Sequence, residues 1–157
     1  MQRDVRAVLD GAVGGFLGTA VMSACMVAAE KTGFMDRHPP EEIADAVLDA
    51  AGVSDNHENT EDALAMFLHF AFGIGTGSLF AVLHRRLRLP ISPILHGVIF
   101  GSLVWFVSYK GWVPRLGIMP PPERDQPGRP QTMLFVHWVY GGILGAIVGR
   151  RDKTSDE

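Results

Sequence analysis

One cysteine, Cys25, is all the chain has, so no disulfide can form within it. A lone thiol in an apolar run reads as a small packing residue. Missing too are a Walker loop, a dinucleotide fingerprint behind a strand, a CxxC pair and a zinc-protease helix motif, which leaves nothing to read nucleotides or nucleic acid. The most informative absence is of charge. Asp10 to Glu30 encloses 19 residues with no Asp, Glu, Lys or Arg; Asp62 to Arg85 encloses 22, Arg88 to Lys110 encloses 21, and Arg129 to Arg150 encloses 20. A bilayer core of about 30 Å takes about 20 helical residues at about 1.5 Å each, so every window has spanning length. A soluble four-helix bundle would carry Lys and Glu at helical spacing inside each window, and none does. The sequence predicts an all-α integral membrane four-helix bundle, a single domain over residues 1–157. Its spans are about 11–29, 63–83, 91–109 and 131–149, with outer loops 30–62 and 110–130.

A net charge of -3 carries less information than its distribution. Arg3, Arg6, Arg85, Arg86, Arg88, Arg150, Arg151 and Lys153 gather at one set of span ends, and the turn from His84 to Arg88 concentrates positive charge against two of them. Residues 30–62 carry ten acids against Lys31 and Arg37. The positive-inside rule then puts both termini in the cytoplasm. Arg150, Arg151 and Lys153 read as an inner anchor. Arg3 and Arg6 before the first apolar run, with Val27-Ala28-Ala29 after it, also have a signal-peptide outline; the expectation is that this run stays as a span.

Glycine is plentiful and spaced. Gly11/Gly15 and Gly14/Gly18 stand four apart in the first span, Gly73/Gly77 in the second, and Gly141/Gly145/Gly149 in the fourth, a spacing that lets helix backbones approach closely. Met22, Met26, Met66 and Met119 read as gap fillers. In the first outer loop, Pro39-Pro40 precedes EEIADAVLDAAG, with Ile43, Val47 and Ala50 on one face and Gly52 as a stop. This predicts a short amphipathic helix whose acidic polar face disfavours anionic lipid, so it folds over the protein's own outer mouth. Residues 54–62 read as an exposed connector. Six prolines from Lys110 through Pro130 predict an irregular, stiff loop, and Tyr109 and Trp112 read as an outer aromatic belt.

Histidine inside a span is costly and marks a functional hypothesis. His69 and His137 fall on spans running in the same direction, seven residues past Asp62 and eight past Arg129, so they sit at matching depth about 10 to 12 Å inside the outer boundary. Glu30, ending the first span, is the acid best placed to join them. His96 enters from the other side and belongs near His84. A Glu30/His69/His137 cluster has three chemical uses: haem or divalent metal ligation, uptake of protons as the outer medium acidifies, or interhelical hydrogen bonding that fixes packing.

The ordered phrases of the chain resemble the YagU-like family of small bacterial inner-membrane proteins. The phrases are a glycine-rich first span ending Ala29-Glu30 and followed by Pro39-Pro40, then Leu68-His69 and Leu79-Phe80-Ala81-Val82. After them come Pro114-Arg115-Leu116-Gly117-Ile118-Met119-Pro120-Pro121, His137-Trp138 and Gly149-Arg150-Arg151. The resemblance implies an inner-membrane location and a contribution to acid or envelope-stress resistance with no defined molecular activity, and it puts Glu30, His69 and His137 on matching positions. The expectation is a non-enzymatic membrane protein with no cofactor, haem or metal at His69/His137 being the alternative. Expected partners are the lipid bilayer, further copies of the chain, or other subunits of a respiratory or photosynthetic complex; nucleic acid is not among them.

Overall fold

A computed structural model describes residues 2–34, 38–53, 58–87 and 89–153. Arg88, residues 54–57 of the connector, and the side chains of Arg3 and Lys153 lie outside the described residues. Four helices among them are long and apolar enough to cross a membrane. These are α1 (Gln2–Lys31), α3 (Glu58–Leu87), the run that begins with α4 (Pro93–Val107), and α6 (Arg129–Lys153); α2 (Pro39–Ala50) lies between α1 and α3. Residues 58–62 of the expected connector are already helical, forming the first turn of α3.

The apolar residues of these helices do not all face inward. Phe16 and Leu17 of α1, Met66, Phe67 and Phe72 of α3, and Ile99, Leu103 and Phe106 of α4 are exposed, as is Trp138 of α6. In water such surfaces would drive aggregation; lipid is the solvent that fits them, and this is a membrane protein. Met66 points outward, unlike the buried fillers Met22, Met26 and Met119. Cys25 packs against the core.

Contacts between helices are made by the glycines. Gly11 and Gly15 of α1 lie on Gly77 and Gly73 of α3, where a Cβ would strike a backbone carbonyl. A second strip of α1, Gly14 and Gly18, meets Leu144 and Tyr140 of α6. On its far side α6 uses Gly141 and Gly145 against Gly97 and Pro93 of α4. Gly97 and Gly101 of the third span thus pack as closely as the glycines singled out by spacing. The helices run α3–α1–α6–α4 in order of contact, each antiparallel to its neighbour, while α3 and α4 touch only briefly.

That brief contact lies at the end where the chain begins and finishes. Phe80 of α3 sits 5.2 Å from both Phe100 and His96 of α4, and His84 Nδ1 is 2.7 Å from His96 Nδ1. Toward the opposite end, called the loop end below, the seam between α3 and α4 opens.

The third span does not stop at residue 109. After Val107 the backbone widens into one π turn, Ser108–Trp112, and resumes as α5 (Val113–Arg115). Pro114 has no N–H to give, and in a regular helix its ring would press on the carbonyl of Lys110; the wider turn, in which the Val113 N–H reaches the Ser108 carbonyl, relieves this. The helix then ends at Gly117, whose φ of +74° glycine adopts without strain. Only from there to residue 128 is the proline-rich loop irregular, apart from a 3-10 turn at Pro122–Arg124.

Candidate functional site

At the loop end the open seam is a cavity of about 510 Å³. Its walls come from five elements. α3 supplies His69, Phe72 and Thr76; α4 and its π turn supply Val104, Tyr109 and Trp112; α1 closes the back with Thr19 and Met22, and α6 with Met133, His137 and Tyr140. The roof is α2. Its Pro39, Pro40, Ile43 and Val47 face the cavity, so the amphipathic helix lies over the mouth of its own bundle.

The roof is held by polar groups at both edges. Glu41 accepts from the His38 backbone N–H at 3.3 Å, closing the first turn of α2, and Glu30 approaches His38 Nε2 at 3.2 Å. On the other side Glu42 lies 3.7 Å from Arg129, which also meets Asp125 at 3.5 Å. The Tyr109 hydroxyl donates to Asp125. Tyr109 is therefore a buried strut and not part of an aromatic belt, and Trp112 lines the cavity. On the surface of the same loop, the Lys110 ammonium beside Glu123 holds its carboxyl below the usual range, in an exposed pair of little energetic weight.

The structure brings two of the three predicted cluster residues together. His69 and His137 both line the cavity, within electrostatic reach of each other. Glu30 stays outside it, half exposed, with His38 between it and His69. Among the described residues no group of three His, Cys, Asp or Glu is arranged to hold a metal. His137 Nδ1 is 2.7 Å from the Met133 carbonyl one turn earlier, and His69 Nε2 is buried with no hydrogen-bond partner. The hydroxyl groups of the lining are engaged. The Tyr140 hydroxyl reaches the Gly73 carbonyl at 2.8 Å and Thr76 at 2.9 Å, Thr19 bonds the Gly15 carbonyl, and Ser108 the Val104 carbonyl. Among the described residues no Lys, Arg, Asp or Glu lines the space.

The family of unknown function DUF6789 matches residues 5–157. The chain belongs to that family. No curated protein and no solved structure matches it. The family match takes in all four spans, α2 and every cavity residue of this DUF6789 protein.

Sequence reasoning missed a second polar site at the opposite end. Asp10 is almost fully buried and accepts from Arg85 and Arg151, each at 2.9 Å; Arg85 also bonds Asp152 at 2.7 Å. The anchor residue Arg151 thus clasps α6 to α1. A signal was present: Ala7, Asp10, Gly14 and Gly18 follow one another at three, four and four residues, so the acid shares a helical strip with two packing glycines.

Proposed function

We propose that this chain is a non-enzymatic membrane protein that admits one uncharged, lipid-soluble molecule to the loop-end cavity through the α3/α4 seam. One observation carries the reading: a cavity of about 510 Å³, lined almost wholly by apolar groups, contains a buried imidazole nitrogen with nothing to bond. The volume lies within the range of about 300 to 1,000 Å³ used for small organic ligands, and a few convergent polar groups in an apolar wall are the usual composition of such sites. An unmade hydrogen bond in that setting costs about 1 to 3 kcal/mol, which a ligand bearing the complementary group would recover.

In the same reading the basic ends at 85–88 and 150–153 face the cytoplasm of a bacterial inner membrane, and α2 faces outward. The resemblance of the sequence to YagU-like proteins is what supports a role in acid or envelope-stress resistance.

The test is to purify the protein in mild detergent and identify extracted small molecules by mass spectrometry. A lipid-soluble compound is expected at about one per chain. Ala71→Trp, placed on the cavity wall, should lower it at least about fivefold with the fold retained. Equal retention in wild type and variant would sink the proposal. Haem is a poorer occupant on physical grounds, since among the described residues no cation lines the space to neutralise its propionates. A colourless preparation is expected; a Soret band lost in both His69→Ala and His137→Ala would make the cavity a haem site. A second reading takes the seam as the seat of a foreign helix from a larger complex, favoured by exposed Phe72, Phe106 and Val107 on the helices that bound it. Other chains co-purifying in fixed ratio would support that reading.

A further inference from the structure

The chemistry of the ligand's head can be narrowed from the hydrogen bonds already made. This step rests on the cavity-binding reading above. The partner of His137 Nδ1 is a backbone carbonyl, which can only accept, so Nδ1 carries the proton. In the neutral ring Nε2 is then a lone-pair acceptor, and it is the one polar atom His137 has left to offer the cavity. His69 differs. Its Nε2 has no partner, so either tautomer is available to it and it can donate.

The two histidines therefore offer one acceptor and one donor, and among the described residues of the lining no charged side chain is there to balance a charged ligand. A carboxylate or phosphate would be stranded without a cation, at a desolvation cost no neutral hydrogen bond offsets. A ketone or ester could take a bond from His69 but has nothing to give His137. A hydroxyl does both, donating to one imidazole through its O–H and accepting from the other through its oxygen lone pairs. The tail of such a molecule would lie against Met22, Val104 and Phe72, along the seam. We infer that the cavity selects an uncharged lipid-soluble alcohol or phenol, its hydroxyl bonded between His69 and His137.

The experiment uses the intact protein in nanodiscs and the fluorescence of Trp112, which lines the cavity. The probes are 12-bromododecan-1-ol, its methyl ether and 12-bromododecanoic acid, whose bromine quenches indole at close range. Trp112→Phe identifies the share of the signal that comes from the cavity. The alcohol is expected to quench at a concentration about tenfold below the ether and the acid, the discrimination that one lost buried hydrogen bond gives. His137→Phe should bring alcohol and ether level, and His137→Gln, whose amide oxygen still accepts, should restore part of the preference. Equal quenching by alcohol and ether in wild type would overturn the hydroxyl inference and leave the binding reading intact. Preference for the acid, or a preference that survives His137→Phe, would overturn it as well. Absence of Trp112 quenching by all three probes would remove both. Competition with farnesol, dodecanol or a decyl hydroquinone then separates isoprenoid, alkyl and quinol sources of the same head group.

Discussion

Gly97→Leu is expected to separate α4 from α6 and to cost about 3 kcal/mol or more, the upper end of what overpacking does when backbone must move. A Cβ at Gly97 would overlap the Gly141 carbonyl oxygen and stand 3.0 Å from the Gly145 nitrogen. Neither obstacle is the end of a flexible side chain, so no rotamer change makes room. The same geometry predicts that Gly97→Ala is damaging, although alanine is the best helix former. Gly75 provides the contrast on α3. Nothing lies within 4 Å of its added Cβ. Gly75→Ala should be neutral or stabilising by about 0.5 to 1 kcal/mol, the intrinsic gain of alanine over glycine in a helix. Thermal melts of the three variants in one detergent would check this; similar losses at both sites would mean that the close approach of α4 and α6 is not what holds the pair.

Asp10→Leu should be the next most damaging change, at about 3 kcal/mol, because it removes the buried acid that both arginines share and breaks the ionic tie of α1 to α3 and α6. Arg85 would keep Asp152 but lose its contact to α1, and Arg151 would lose the Asp10 carboxylate that ties it to α1. Asp10→Asn keeps the shape and some hydrogen bonding, so its loss should be smaller. Unfolding by graded SDS is the suitable measurement, with a loss below about 1 kcal/mol for Asp10→Leu marking the clasp as an ordinary surface pair.

How legible all this is in the sequence depends on which physical rule was in force. Four uncharged windows of matched length set the class and the rough position of every span, because a bilayer constrains length and polarity together. The helix over the mouth was visible in Pro39-Pro40, in the Ile43/Val47 face and in Gly52, whose φ of +71° ends α2 in the structure. Charge was a poorer guide to span ends. Asp10 looked like a boundary and is interior, since a carboxylate with two arginines to meet tolerates burial. Pro114 looked like the far side of a boundary and is helical, since a π turn ahead of it absorbs the steric conflict. For the site, depth along parallel helices was enough to bring His69 and His137 to one space. Glu30 could not be placed the same way, because the partner that intercepts it, His38, sits in a loop whose path no periodicity encodes.

The π turn at 108–112 also makes the cavity sensitive to arithmetic. One residue rotates a helix by about 100°, so an extra residue accommodated in that turn sets the azimuth of everything after it. Trp112, Val113 and Leu116 reach the cavity because the chain is one residue longer there than a plain helix of the same rise needs. Shorten the turn by one residue, with every side chain unchanged in kind, and that wall would swing onto the lipid. Chain length at this point is thus as much a determinant of the pocket as the identity of any residue in it.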